Sequence, residues 1–269
     1  MSKRSRAEDR AEDGSELLHV PKPLVELGWQ VLTWGQKNVY TKVFDTKVTG
    51  KAYLPGSGAF IVAANHASHL DMGLVKHAIG DYGSRLRALA AKDYFFEDRL
   101  KRTYFETFTN LVPMDRHGSL RESLRLASQV LVDGDVLLIF PEGTRSPDGV
   151  MIDFKASIGY LALANQVDVV PMYLEGTFDA LPKGATLPKK RDIAARIGPT
   201  LTYEFLRAAT EGMPKSEQYR EAARLVEVSV RKLGKLEMPA RLAPGAVKSG
   251  ANGASAGADA STESSEADA

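Results

Sequence analysis

Segments with the pattern of buried strands alternate along the chain with segments of helical pattern, and this alternation most constrains the fold. The segments predicted as strands are residues 59–66, 85–92, 135–142, 167–175 and 193–206. The segments predicted as helices are residues 119–134, 157–166 and 215–234. Alternation of this kind is typical of a sheet that is covered by helices on both faces. The sequence therefore predicts an α/β fold with a mostly parallel central sheet flanked by helices.

The two ends of the chain differ in composition from its middle. Residues 1–19 are polar and mixed in charge, unlike a secretory signal peptide. Residues 237–269 are rich in Ala, Gly and Ser and poor in large apolar side chains, so they have little to bury in a core. We expect both ends to be disordered and expect the main domain to span residues 51–236, with an N-terminal helical element at 20–50.

Residues 23–40 within that element predict a helix with a broad apolar surface. At 100° per residue, four polar residues from Glu26 to Lys37 share a narrow strip, and apolar side chains that include both tryptophans, Trp29 and Trp34, cover the rest. Such a helix packs against the main domain or lies in a membrane interface, where tryptophan is enriched. No uncharged apolar stretch reaches the roughly 18 residues of a spanning helix. We expect a cytoplasmic protein that associates peripherally with the membrane.

Charge and cysteine content bear on several classes of function. The formal net charge is +1, whereas a dedicated nucleic-acid-binding protein is normally clearly basic, so we predict no nucleic-acid partner. The chain has no cysteine, and therefore no disulfide, cysteine-ligated metal or thiol nucleophile. A basic loop at 181–191 would suit an acidic carrier protein, coenzyme phosphates or anionic lipid, or is simply solvated.

The sequence NHASHLD, residues 65–71, directly follows a predicted strand. His66 and Asp71 would point in different directions within one regular helix or strand. They can meet only if His66 lies on the turn and Asp71 lies in the first turn of the next helix. Two interpretations follow: Ser68 and Asp71 form a capping box, or His66 is a general base oriented by Asp71.

A metal site is an alternative for the same segment, with His66, His69 and Asp71 as ligands. Their spacing matches neither H-E-x-x-H nor the common zinc patterns. A protein that used them in this way would be a metal-dependent hydrolase, and a chelator would abolish its activity.

The sequence FPEGTRS, residues 140–146, places two charged side chains where a predicted strand ends. Open α/β sheets hold their ligands at this edge, so Glu142 and Arg145 are candidate binding residues. Arg116 lies on an earlier predicted turn, and Lys155 follows shortly after Arg145. Guanidinium groups on separate turns can hold a phosphate bidentately, although an arginine on a loop is more often merely solvated.

Four sequence blocks, taken together, resemble the glycerolipid acyltransferase family, whose members acylate glycerol phosphate and lysophosphatidate. The blocks are N-H-x-S-x-x-D at 65–71, an apolar run that ends at Arg116, F-P-E-G-T-R-S at 140–146 and V-P-M-Y at 170–173. They occur in the order of the family, and the resemblance covers residues 55–205. The third block is fairly specific on its own, and all four together are strong.

The resemblance implies an acyltransferase of phospholipid biosynthesis that carries the family's H-x₄-D motif. His66 would take the proton of an acceptor hydroxyl, and Asp71 would fix its tautomer. The alkoxide would then attack the thioester of acyl-CoA or acyl carrier protein directly, with no metal and no cofactor besides that donor. The expected acceptor is a lysophospholipid, above all 1-acyl-glycerol-3-phosphate. In the family, the third-block loop places the glycerol, and arginines hold the phosphate. The residues implied to bind the acceptor are Arg116, Glu142, Gly143, Thr144 and Arg145.

The chain departs from the family pattern in two places. Many members have F-K-x-G after the third block, whereas residues 154–157 here read F-K-A-S, which weakens the assignment of Lys155. Many members also have an N-terminal spanning helix. A non-catalytic membrane-binding module is the remaining alternative, and the presence of both His66 and Asp71 argues against it.

Overall fold

The computed structural model describes residues 38–91, 111–114 and 119–242 apart from 183 and 186, together with the single positions 21, 23 and 28. Within these residues, seven strands form one sheet in the order β1–β7–β6–β2–β5–β3–β4. The strands are β1 (Asp45–Thr49), β2 (Phe60–Ala64), β3 (Leu86–Ala91), β4 (Leu111–Met114), β5 (Val136–Ile139), β6 (Asp168–Glu175) and β7 (Asp192–Ile197).

Most of the strand pairs are parallel, as the sequence predicts. The strands from β6 to β4 run in one direction, and β6 pairs with β7 in the antiparallel sense. β1 is parallel to β7. The centre of the sheet is thus the parallel arrangement of an α/β fold, with a reversed pair at one edge.

Six α-helices accompany the strands in the described part of the chain. They are α1 (Asp71–Ala78), α2 (Leu120–Val132), α3 (Ser157–Asn165), α4 (Thr177–Ala180), α5 (Tyr203–Ala209) and α6 (Lys215–Leu233). Ser119 is the N-cap of α2, because its hydroxyl accepts a hydrogen bond of 3.2 Å from Glu122 N. None of the helices in the described ranges has the length and hydropathy needed to cross a bilayer.

The core has two layers, one on each face of the sheet. All five residues of β2 are buried, because its alternate side chains enter opposite layers. Phe60, Val62 and Ala64 pack with α1, while Ile61 and Ala63 pack with α2, α3 and α6. A strand that is buried on both faces reads as a continuous apolar run, which explains why β2 was recognisable from the sequence.

Three boundaries differ from the sequence-based expectation. The predicted strand at 193–206 is a strand only to Ile197; Gly198 and Pro199 interrupt it, and Thr202 then caps α5 by accepting from Phe205 N. Residues 45–49 lie within the helical element predicted at 20–50, but they form β1. The tail predicted to be disordered from 237 is still folded at 240–242, where a 3₁₀ turn packs on α6.

The strands β1 and β4 were not predicted, and both lie at the edges of the sheet. β1 is short and alternates exposed with half-buried residues, and β4 contains Pro113, which is tolerated at an edge. The helix predicted at 23–40 lies almost entirely outside the described residues. Its last residues form a π-helical turn, Val39–Val43, in which the Tyr40 hydroxyl donates to Leu70 O at 2.8 Å.

Helix α3 lies so close to α6 that one residue has no room for a side chain. A Cβ atom on Gly159 would lie 2.0 Å from the backbone oxygen of Tyr219. Only glycine permits this approach, which seats α6 against the rest of the domain.

We therefore expect Gly159→Ala to lower the free energy of unfolding by about 1–3 kcal/mol, the usual cost of overpacking. Urea unfolding followed by circular dichroism measures it. Gly56→Ala is the control, because a Cβ there meets no described atom within 4 Å. Equal stability of the Gly159 variant and wild type would contradict the tight helix packing.

Candidate active site

The candidate site lies where two neighbouring parallel strands end. β2 ends at Ala64 and β5 ends at Ile139, and the two strands pair directly. The segments that follow them carry NHASHLD and FPEGTRS, so the fold brings these two blocks to one edge of the sheet. A backbone hydrogen bond of 2.8 Å from Ser146 N to His66 O joins the two loops.

The side chains of His66 and Asp71 meet in the predicted way. His66 lies on the turn, Asp71 is the first residue of α1, and His66 Nδ1 is 2.8 Å from Asp71 Oδ2. The same oxygen accepts from Ala67 N at 2.7 Å and from Ser68 N at 2.8 Å. Because a carboxylate only accepts, Nδ1 carries the proton, and Nε2 is left as the basic nitrogen.

The capping interpretation of the same residues is correct in part. Asp71 reaches back to Ser68 N, as the acidic member of a capping box does. The Ser68 hydroxyl, however, accepts from Leu70 N and donates to Leu181 O at 2.8 Å, and the residue that precedes the helix is Leu70. Asp71 therefore closes the turn and orients His66 at the same time.

One face of the His66 imidazole is covered, and part of the side chain is exposed. Its ring stacks on Phe140, with a centroid distance of 3.9 Å and an interplanar angle of 12°. The side chain is 21% exposed, whereas Asp71 is completely buried. The ring of His66 is thus partly accessible while its partner is shielded from water.

Glu142 supports the site from behind. Its side chain is 2% exposed, Oε1 accepts from His66 N at 2.6 Å, and Oε2 accepts from Ile152 N at 2.9 Å. Burial raises the pKa of Glu142 to about 7, although both N–H donors favour the anion. The resemblance implies that Glu142 places the glycerol, which stays a prediction; the contacts seen here also make it a brace for the backbone of His66.

Two residues of the third block lie on its exposed surface. Gly143 and Thr144 are exposed, and Gly143 has a φ of 74°, which favours glycine. A Cβ on Gly143 would lie 2.4 Å from the Nζ atom of Lys155, so the ammonium group lies against this loop despite the altered F-K-A-S sequence. Lys155 N also bonds to Pro141 O at 3.0 Å.

Arg145 is half-buried, and its Nη1 atom is buried without a hydrogen-bond partner among the described residues. A buried guanidinium nitrogen is costly to leave unpaired, so this atom is available to an anionic ligand. Arg116, the other predicted phosphate ligand, lies outside the described residues.

His69 is exposed at the rim of the site. Burial of part of its ring lowers the pKa of His69, and the positive charge of Arg145 adds to the effect, while the charge of Asp71 opposes it. No three His, Asp or Glu side chains in the described ranges are placed to share a metal ion. Asp71 Oδ2 is already bonded to three donors. The geometry therefore gives the metal-site alternative no support.

Two polar residues of the first block have tasks that the sequence did not reveal. Asn65 is buried and bonds twice to Leu174 of β6, donating to its O at 2.9 Å and accepting from its N at 2.7 Å. Ser68 bonds to Leu181, beyond the end of α4. Both contacts span more than a hundred residues, and the only signal for them was that the residue types belong to a motif.

Comparison with known proteins agrees with this geometry. Residues 45–175 match the family model described as Acyltransferase. A 1-acyl-sn-glycerol-3-phosphate acyltransferase of Limnanthes alba is 34% identical over 129 residues, which are 46% of this chain and 43% of that protein. The human 1-acyl-sn-glycerol-3-phosphate acyltransferase alpha is 27% identical over 135 residues, 49% of this chain and 46% of that protein. The chain thus matches slightly less than half the length of these curated relatives.

A solved structure extends the likeness to the fold. The crystal structure of the 1-acyl-sn-glycerophosphate (LPA) acyltransferase PlsC from Thermotoga maritima is similar with a TM-score of 0.56 and 25% identity. The similarity covers 80% of this chain and 78% of that one. The four sequence blocks, the paired His66 and Asp71 and these matches identify residues 45–175 as an acyltransferase domain similar to those of the glycerolipid acyltransferase family.

Proposed function

We propose that the protein transfers a fatty acyl group from a thioester to the free hydroxyl of a lysophospholipid, with 1-acyl-glycerol-3-phosphate as the acceptor. The observation that carries the proposal is the His66–Asp71 pair, whose basic Nε2 belongs to a partly exposed ring beside the arginine of the third block. The names of the relatives support the same acceptor. The donor is acyl-CoA or acyl carrier protein, and no further cofactor is required.

The chemistry is direct acyl transfer. His66 Nε2 accepts the hydroxyl proton of the acceptor as its oxygen bonds to the thioester carbonyl carbon. Asp71 stabilises the imidazolium that forms. The tetrahedral oxyanion then collapses, the carbon–sulfur bond breaks, and the departing thiolate takes the proton from His66. An acyl-enzyme intermediate is unnecessary, which suits a chain without cysteine whose motif serine, Ser68, is buried and bonded to Leu181 O.

The phosphate of the acceptor is the ligand that suits the basic groups of the third-block loop. Arg145 offers a buried nitrogen that has no partner in the described part of the chain, and the Lys155 ammonium lies beside Gly143. Charge-assisted hydrogen bonds to phosphate are among the strongest that a protein makes. We expect Arg116 to complete the set.

Contact with the membrane surface is part of the proposal, because the acceptor is a lipid. Two loops near the site expose large apolar side chains: Val150 is 62% exposed and Leu187 is 79% exposed. The second loop continues into the exposed basic residues 189–191 and is tied to α4 by a bond from Lys189 N to Ala180 O. Apolar tips beside basic residues suit an anionic bilayer. With the helix predicted at 23–40, they would hold a cytoplasmic protein at the membrane surface.

The first prediction concerns the base. Because positioned general-base catalysis contributes roughly 100- to 10,000-fold, His66→Ala should lose at least about 100-fold in kcat with its fold intact. His69→Ala is the matched control and should lose much less. Turnover of lysophosphatidate with palmitoyl-CoA measures both. A larger loss for His69→Ala, or loss of activity with a chelator, would favour the metal-dependent alternative.

The second prediction concerns the phosphate. Arg145→Ala and Arg116→Ala should each lose a charge-assisted interaction worth about 1.5–3 kcal/mol, or roughly 10- to 150-fold in kcat/KM for lysophosphatidate. The slow reaction of monoacylglycerol should hardly change, because it has no phosphate. Arg→Lys should restore only part of the loss, since an ammonium group cannot form the bidentate fork. Equal losses of kcat/KM with both acceptors would mean that the arginines stabilise the fold or bind the acyl donor instead.

The third prediction concerns the membrane. The protein should float with anionic liposomes, and high salt should release only part of it, because apolar contacts are not screened. Changing Trp29 and Trp34 to Ser, or Val150 and Leu187 to Ser, should each shift protein to the soluble fraction. Val132→Ser is the control, since Val132 is 75% exposed at the opposite edge of the sheet, where α2 leads into β5. If a double variant floats as well as wild type, the two residues changed in it do not contribute to membrane binding.

A further inference from the structure

A buried carboxylate on α6 has no part in the chemistry described above. Glu227 is 1% exposed, and both of its oxygens are bonded. Oε1 accepts from Arg231 Nε at 2.8 Å and from Arg241 Nη2 at 2.6 Å. Oε2 accepts from Arg241 Nη1 and from Phe154 N, each at 3.1 Å. Burial alone would raise the pKa of Glu227, but the hydrogen bonds from Arg241 and Arg231 hold it below its usual value.

Helix α6 thereby holds the segment 151–154 at both ends. Phe154 N donates to Glu227, and Arg231, which Glu227 orients, donates from Nη2 to Met151 O at 3.3 Å. Two bonds to one helix leave this short segment little freedom. Its Ile152 N points the other way and donates to Glu142 Oε2 at 2.9 Å.

The chain of contacts ends at the base. Glu142 accepts from Ile152 N with one oxygen and from His66 N, at 2.6 Å, with the other. Displacement of the 151–154 segment would therefore pull on Glu142 and then on the backbone of His66. Lys155, the next basic group along the chain, keeps its own bond to Pro141 O. This bond is a further anchor of the third-block loop, besides the bonds of Glu142 to Ile152 N and His66 N.

We propose that Glu227 is a positioning residue for His66, acting through the 151–154 segment and Glu142. The inference rests on the proposed function for its kinetic consequence, while the chain of contacts itself is independent of the reaction. Misplacing a base by a fraction of an ångström acts on the chemical step rather than on acceptor binding.

The test compares Glu227→Gln with a matched control on the same helix, Glu221→Gln. Glu221 also forms a bidentate pair with an arginine, Arg224, which bonds to Leu242 O but not to the 151–154 segment. With every variant shown to be folded, Glu227→Gln should lower kcat for lysophosphatidate about tenfold or more and change the acceptor KM less than about threefold. Glu221→Gln should keep kcat within about twofold of wild type.

Two further measurements separate positioning from a general structural role. The losses in kcat for Glu227→Gln and Glu142→Gln should be non-additive in the double variant, because both act through one chain of contacts. The amide of Ile152 should exchange with solvent about tenfold faster in Glu227→Gln than in Glu221→Gln, measured by NMR. If Glu227→Gln does not fold, Arg241→Gln replaces it in all three measurements, with a kcat loss of about threefold or more, because Arg241 is the partner that is 39% exposed.

Additive losses, a loss confined to KM, or equal effects of the two glutamate variants would overturn the proposal. Unchanged exchange at Ile152 would overturn it whatever the kinetics. If wild-type protein acylates no lysophospholipid, the proposed function fails, and the exchange measurement still decides whether Glu227 holds the segment.

Discussion

One carboxylate oxygen organises the site. Oδ2 of Asp71 accepts from the ring of His66 and from the backbone of Ala67 and Ser68. A buried charge is costly unless it is bonded, and Oδ2 has three donors, whereas Oδ1 is buried without a partner among the described residues. The same contacts close the turn after β2, start α1 and leave Nε2 of His66 as the basic nitrogen. Structure and reactivity therefore depend on a single atom, which is why the turn cannot be altered without altering the base.

Three carboxylates in and behind this site are buried: Asp71, Glu142 and Glu227. Their hydrogen-bond partners differ. Asp71 and Glu142 accept from backbone N–H groups of residues 66–68 and of Ile152, whereas Glu227 accepts from two guanidinium groups and from Phe154 N. That contrast explains the opposite shifts of pKa: burial dominates at Glu142 and raises it, while the arginines dominate at Glu227 and lower it. Glu227 therefore stays charged, whereas Glu142, next to His66, is only partly ionised near neutral pH.

The sequence predicted the features that local pattern determines. The strand before His66 and the helix after it fix a spacing at which His66 and Asp71 can meet, and the pair forms as expected. The brace at Glu142 was not predictable, because its partner His66 is 76 residues away and no local spacing encodes that contact. Glu227 was hidden for a similar reason: on α6 it reads as one more polar residue of an amphipathic helix. Its burial depends on where residues 151–154 and Arg241 pack.

The geometry of the base also bears on the order of events in the proposed reaction. One face of the His66 ring is covered by Phe140, and Nδ1 is bonded to Asp71, so a substrate can approach only the remaining face and the Nε2 edge. In the proposed reaction the acceptor hydroxyl lies at that edge, and because the proposed transfer is direct, the thioester lies beside it at the same moment. Both substrates must therefore be bound together before any bond changes. Either order of binding satisfies this condition, with the lipid acceptor held in the proposed way by its phosphate at Arg145. A mechanism that releases the donor thiol before the acceptor binds does not satisfy it.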